Sequence, residues 1–239
     1  MTGQEIRLNR LFSDGQNAVV VAIDHCQTFG PIPGLIDFTA AAEALVEADG
    51  VLLVPQMIRF SGGLFMRRGG PMVIARVNWT TRHCVPWGYG ESESVEAMPL
   101  ELAVAAGAEI VLAPVILKTG SERRDAENVH LFTRTSNAAH ALGLPLIGEV
   151  FATPEIERDK DAFHDYVRRT CRIACELGAD AIKTFYTGER FREVVEGTPI
   201  PVFALAGEKM EREVQALELA ERAVAAGARG VVFGRNVIQ

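Results

Sequence analysis

Long apolar runs are missing from this sequence of 239 residues. The longest, Ile110 to Leu117, is broken by Pro114 and falls well short of the roughly 18 residues that a membrane helix needs. Met1 to Arg10 is polar, without the basic start and apolar run of a secretory leader. A soluble, cytoplasmic protein with no membrane contact is expected. Cysteine is scarce as well: there are four, none in CxxC spacing, which argues against a disulfide framework and a zinc ribbon. Cys171 and Cys175 lie i, i+4 on one helical face but lack a second ligand pair, so no metal is expected. The net charge is −7 and no Lys/Arg-rich block occurs, so the footprint of a nucleic-acid binder is lacking and a small molecule is the expected partner. Lysine is the scarcest of the four charged types, four residues against twenty arginines.

Short β-branched runs are abundant. They fall at Ala18–Ile23, Val51–Val54, Met72–Val77, Ile110–Val115, Pro145–Val150, Ala179–Phe185, Pro201–Ala206 and Gly230–Phe233. Stretches with a 3.6-residue period separate them, clearest at Phe38–Ala48, Val95–Ala106, Ala126–Leu142, Ala162–Leu177 and Val214–Ala226. Ala-Gly-Ala or Leu-Gly-Ala joints at Gly107, Gly178 and Gly227 end a helix just before a strand, and Gly50 and Gly143 are read the same way. Eight strands joined by crossover-length connections predict an α/β fold, a (β/α)8 TIM barrel occupying residues 1–239 as one domain. An open doubly wound sheet would show much the same local pattern. Only a few residues follow the eighth strand, so the eighth helix is expected to be missing and that strand's outer face bare.

One of the rare lysines, Lys183, stands inside the apolar strand Ala179-Asp180-Ala181-Ile182-Lys183-Thr184-Phe185. Alternation puts Ala179, Ala181 and Lys183 on one face, near the strand end where barrels hold their catalytic groups. Desolvation disfavours an ammonium, and a neutral amine is a nucleophile toward a carbonyl. The competing reading is a structural ion pair with Asp24 or Glu149. Asp24 ends the first strand and is suited to orient the amine or hold a substrate hydroxyl, or simply to cap a turn. Glu149 ends the fifth strand and reads equally as a general acid/base or as a buried partner of Lys183. Gly207 and Gly234-Arg235 follow the seventh and eighth strands, where barrels bind phosphate. His83, beside Trp79, Trp87 and Tyr89, shows no base-orienter pattern and is set aside.

These residues resemble a known family. Asp24-His25 with Gly30-Pro31, Gly178 to Thr184 with Tyr186-Thr187, and the terminal Gly234-Arg235-Asn236-Val237-Ile238-Gln239 are similar to the DeoC/LacD-type class I aldolases, in particular the archaeal-type fructose-bisphosphate aldolase branch. The resemblance implies a lyase that forms an imine through Lys183, with Asp24 assisting, phosphate held by Gly207, Gly234 and Arg235 next to His25, and no cofactor. It also implies a phosphorylated carbonyl substrate and a cytoplasmic homo-oligomer, often of ten subunits. Phe151 stands where the branch has a tyrosine acid/base, so Glu149 or Tyr186 must take that role. Ala206-Gly207 replaces paired glycines, and Cys26 stands where relatives often have glycine. A thiolase or aldol synthase of the same family, or a catalytically silent barrel, are the rival readings.

Overall fold

The computed structural model describes residues 2–13 and 15–239. Eight strands, β1 (Ala18–Ala22), β2 (Gly50–Leu53), β3 (Met72–Arg76), β4 (Ile110–Val115), β5 (Leu146–Val150), β6 (Ala181–Phe185), β7 (Val202–Leu205) and β8 (Gly230–Phe233), close into a parallel barrel. Each strand pairs with its sequence neighbours and β1 pairs with β8, Ala18 opposite Gly230. The open-sheet alternative is thereby removed. Strand register places Glu149 opposite both Pro114 and Lys183.

Alternation sorts the apolar residues into two populations. Ala18, Val20, Leu52, Met72, Ile74, Ile110, Leu112, Ile147, Ala181, Phe203 and Val232 fill the interior. Their outward neighbours, such as Val111, Val150, Ile182 and Val202, meet the helices in a shell that contains Phe132 and Phe191. At the N-terminal end of the barrel, Leu11 and Phe12 plug the interior, Phe12 stacking on Phe203 at 5.4 Å. They are delivered there by the helix Gly3–Leu11, which starts with a Thr2/Glu5 capping box.

The longer helices match the sequence expectation, Glu122–Ala141, Lys160–Glu176 and Glu213–Ala225. Ser121 and Asp159 cap the first two by accepting from the N–H of Arg124 and Ala162. Two expectations fail. Phe38–Ala48 is helical only to Glu43. Within Val95–Ala106, Ser94–Glu96 instead pairs antiparallel with Asn78–Thr80, and a helix forms only at Leu100–Ala105, after Pro99, which disfavours helical backbone at the residue before it. Gly107, Gly143, Gly178 and Gly227 all take positive φ, as a helix-ending joint requires, whereas Gly50 lies in β2 itself. The outer face of β8 is not bare: Val231 and Phe233 are buried under Ala216 and Leu219 of the helix Glu213–Ala225, and a single turn, Arg235–Ile238, follows. The exposed apolar residue falls instead on β1, where Val19 is 48% accessible.

Candidate active site

Above the last apolar layer, four of the next inward positions at the C-terminal end of the barrel are charged. They are Asp24 just past β1, Arg76 ending β3, Glu149 in β5 and Lys183 in β6, at 7%, 6%, 1% and 7% exposure. The Arg76 guanidinium grips Glu149 with two hydrogen bonds, Nη1 to Oε2 at 2.7 Å and Nη2 to Oε1 at 2.9 Å, and its Nε donates to Asp24 Oδ2 at 2.5 Å. Lys183 Nζ donates to Glu149 Oε1 at 2.5 Å. Two cations and two anions thus form one buried network. Isolated, each would be very costly to bury; paired and hydrogen-bonded, they are tolerated.

The network fixes protonation states. Burial alone would raise the Glu149 carboxyl, but Arg76, Lys183 and His83 outweigh it and hold Glu149 well below the usual carboxylate range. Asp24 is lowered by the same contest between burial and the charges of Arg76 and Lys183. Burial works against the Arg76 cation, yet Glu149 and Asp24 raise it further. His83 is dominated by burial, which with Arg76 and Lys183 overrides the attraction of Glu149 and lowers it to about 3. His25 is lowered for the same first reason, against the pull of Asp24.

These residues line a cavity of about 560 Å³. Part of its wall is built by the loops after β7 and β8, the strands that lie between β6 and β1. Gly207, at φ +74°, presents a carbonyl that accepts from Arg235 Nη2 at 2.9 Å. Arg235 Nε is buried without a partner. Gly234 is required by space: a Cβ there would lie 2.2 Å from His25 Cε1 and 2.9 Å from the Ala22 carbonyl. Of the eight buried side-chain polar atoms without a partner among the described residues, four belong to cavity-lining residues: His25 Nδ1, Gln27 Oε1, His83 Nε2 and Arg235 Nε. Unsatisfied hydrogen-bonding capacity therefore gathers where a polar ligand would supply partners.

The structure brings Lys183, Asp24, Glu149, His25, Gly207, Gly234 and Arg235 together, and separates two residues from them. Tyr186 packs in the outer shell, its ring 5.2 Å from Phe191, and does not line the cavity. Its position in the sequence is odd-numbered steps from Lys183, so alternation sends it outward. Ala179 also belongs to the outer shell: β6 begins at Ala181, and Ala179 N–H still closes the preceding helix on the Ala174 carbonyl. The space around the lysine comes from the cavity, not from Ala179.

Three contributors were missed. Arg76 carried the same signal as Lys183 and Glu149, a charge inside an apolar strand. His83, set aside on sequence, has its Nε2 3.6 Å from Glu149 Oε2 and its ring 4.4 Å from Phe151. Arg82 lines the cavity while donating to the Ala152 carbonyl at 2.6 Å and to Glu157 Oε1 at 2.6 Å. Their loop, between the hairpin strands Asn78–Thr80 and Ser94–Glu96, gives no local sequence clue to its position over the barrel mouth.

A buried lysine at the end of β6, ion-paired and facing a polar cavity, is the arrangement of a class I aldolase. Comparison with known proteins agrees. A profile described as DeoC/LacD family aldolase matches residues 18–239, and the chain belongs to that family. It is 30% identical over 247 residues to an uncharacterized aldolase of Saccharolobus solfataricus, covering 100% of this chain and 89% of that protein. It is 29% identical over 245 residues to a 3-hydroxy-5-phosphonooxypentane-2,4-dione thiolase of Yersinia pestis, covering 99% and 77%. Among solved structures, a Schiff-base-forming fructose-1,6-bisphosphate aldolase superposes with TM-score 0.79 at 27% identity, covering 98% of this chain and 92% of that one. An archaeal fructose-1,6-bisphosphate aldolase whose catalytic lysine carries the carbinolamine intermediate superposes with TM-score 0.79 at 26% identity, with the same coverage.

Proposed function

We propose that this aldolase acts on a phosphorylated ketose, with Lys183 forming the imine and no external cofactor. The observation that carries the reading is the Lys183–Glu149–Arg76–Asp24 network in a cavity that Arg235 and Gly207 also line. Nucleophilic attack requires Lys183 to give up a proton, and Glu149 Oε1 at 2.5 Å is the acceptor in reach. The charges favour the product of that attack. With both carboxylates ionised, the network is neutral, and an iminium returns a positive charge to the same nitrogen. Imine formation therefore adds no net charge to a buried site. The iminium then draws electrons from the adjacent carbon–carbon bond as it breaks, and Asp24 is placed to hold a substrate hydroxyl near the reacting carbon.

Arg235, with its unpartnered Nε, supports a phosphate in the same cavity, near the backbone of Gly207 and Gly234. The fructose-bisphosphate and phosphonooxy-dione names of the relatives both describe a phosphorylated carbonyl compound, which fits this two-ended site. Fructose 1,6-bisphosphate is the first candidate. The thiolase-named relative and the presence of Phe151 support a phosphorylated dione as the second. Residues 1–239 are proposed to act as one domain, in a cytoplasmic homo-oligomer, a decamer as the resemblance implies; sizing of the purified protein tests the assembly.

The decisive experiment is borohydride reduction followed by peptide mass spectrometry, with dihydroxyacetone phosphate and a panel of other phosphorylated carbonyl compounds. A reduced adduct on Lys183, absent in Lys183→Met, is expected. Folded wild-type protein that forms no adduct with any of them refutes the reading.

A further inference from the structure

We propose that the substrate carries a single phosphate, held by Lys209 and Arg235, and that the carbonyl fragment on the other side of the reacting bond is uncharged and apolar, seated against Phe151, Phe185 and Val85. The proposal rests on the imine reading above and narrows it. Fructose 1,6-bisphosphate, which the resemblance puts first, would bring a second phosphate to the aromatic part of the cavity, so a compound with one phosphate takes precedence over it.

The charges of the lining come first. Five lysines and arginines line the cavity. Arg76 and Lys183 are taken up by Glu149 and Asp24. Arg82 donates to Glu157 Oε1 and to the Ala152 carbonyl, both at 2.6 Å, so a phosphate beside it would also meet the Glu157 carboxylate. Burial lowers His83 and His25, which leaves both uncharged at neutral pH. Among the described residues, Lys209 and Arg235 are the cavity cations outside any ion pair. They stand in the loops after β7 and β8, and Asn236 ties those loops together. Its Oδ1 accepts from the Met210 N–H at 2.8 Å and its Nδ2 donates to the Glu208 carbonyl at 3.0 Å, one residue to either side of Lys209. A phosphate monoester carries about −1.5 to −2 near pH 7, which two cations balance. The Glu208 carboxylate, also in the lining, leaves no surplus for a second phosphate.

The aromatic part of the lining is arranged as a row. Phe185 lies two residues past Lys183 and Phe151 two past Glu149, so alternation puts each ring in the cavity one step beyond its charged neighbour. A Cβ on Gly207 would lie 3.2 Å from Phe185 Cε1, the rings of Phe185 and Phe151 meet at 4.9 Å, and those of Phe151 and His83 at 4.4 Å. The row thus starts at the phosphate loops and ends at the hairpin loop, where Val85 adds an apolar side chain that is 62% accessible. A phosphate seated on these rings would lose its water and gain no partner, whereas an apolar fragment loses nothing by the exchange.

Aldol addition provides the test. Dihydroxyacetone phosphate, bound as the imine, loses a proton from its hydroxyl-bearing carbon. That carbon bonds to the aldehyde carbon, the aldehyde oxygen takes up a proton, and the water released on imine formation is returned when the product leaves Lys183. Product is measured by mass spectrometry with benzaldehyde, isovaleraldehyde and glyceraldehyde 3-phosphate as partners. The two apolar aldehydes are expected to exceed the phosphorylated one in kcat/KM by at least ~10-fold. Phe151→Ser should raise KM for the apolar aldehydes by ~10-fold with a smaller change in kcat. Val85→Arg, which adds an unpaired cation at an exposed position, should lower KM for glyceraldehyde 3-phosphate and shift the preference toward it. The proposal is overturned if wild type uses glyceraldehyde 3-phosphate as well as the apolar aldehydes, if it condenses neither apolar aldehyde, or if the preference is unchanged in both variants. In each of those cases borohydride trapping of dihydroxyacetone phosphate on Lys183 shows that the imine reading stands. A wild type that traps nothing overturns both.

Discussion

Replacing Arg76 by methionine keeps most of the side-chain volume and removes the one cation that touches both carboxylates. Lys183 alone then faces Asp24 and Glu149, and the network carries one uncompensated negative charge in a region where every member is less than a tenth exposed. Breaking a buried pair by deleting one partner costs about 3–5 kcal/mol. For 239 residues, at ~2.1 cal/mol/K per residue, the unfolding entropy is about 0.5 kcal/mol/K, so the melting temperature at pH 8 should fall by about 6–10 °C. The pH dependence should change sign as well. In wild type both carboxyls are held below their unfolded values, so their contribution is present above pH ~4 and is lost as pH falls through the lower folded values. Without Arg76, burial becomes the larger influence on at least one carboxyl and lifts it above its unfolded value. The contribution of such a group is present below pH ~4 and is lost as pH rises through the raised value. The gap between variant and wild type should thus be wider at pH 8 than at pH 5.5, measured by circular dichroism melts at both. A melting temperature within 2 °C of wild type at pH 8, or a gap that widens toward acid, would refute the account of the network.

Three further outcomes follow from single contacts. Arg235→Ala should raise KM for phosphorylated substrates by about 10- to 100-fold, the value of a charge-assisted hydrogen bond, while unphosphorylated analogues change less than twofold; an equal effect on both removes the phosphate assignment. Gly234→Ala should destabilise by about 1–3 kcal/mol and lose activity, because its methyl collides with His25 and the Ala22 carbonyl while its φ of −121° leaves no backbone strain to blame; urea unfolding and kcat/KM check it. His83 and His25 are both lowered, so wild-type stability should be present above pH ~6.5 and decline as pH falls from there, well before the carboxylates titrate; His83→Gln should remove about 1.4 kcal/mol per pH unit of that slope between pH 6 and 5, and an unchanged slope would show that His83 is not buried uncharged.

Much of the barrel was legible because β-branched runs and glycine joints recur at the spacing of a βα unit, whereas closure was only suggested by their number and is shown by the pairing of β1 with β8. The charged strand residues of the candidate site were legible for a different reason. A charge on the inward face of an apolar strand stands out, and Lys183, Glu149 and Asp24 did. Arg76 obeyed the same rule but was hidden by abundance, one of twenty arginines rather than one of four lysines. His83 and Arg82 could not be seen that way. They come from a hairpin loop folded over the barrel mouth, and nothing local in Thr81 to His83 tells how that loop returns. The same hairpin defeated the helix expected from Val95, since a three-residue strand leaves too short a pattern for its period to be read. Tyr186 was a plausible acid by residue type alone, and the pleat of β6 sends it the other way.

The register that sets Glu149 beside Lys183 ties the chemistry to the completion of folding. Those two residues sit on adjacent strands, but Asp24 arrives from β1 and Arg76 from β3, so the four charges meet only when the sheet has come full circle. A slip of one residue in any pairing would turn that strand's charge out into the helical shell. Under the proposed imine chemistry, Lys183 would be a built-in report of closure: time-resolved imine trapping during refolding would record the moment the eighth strand meets the first, without any introduced label.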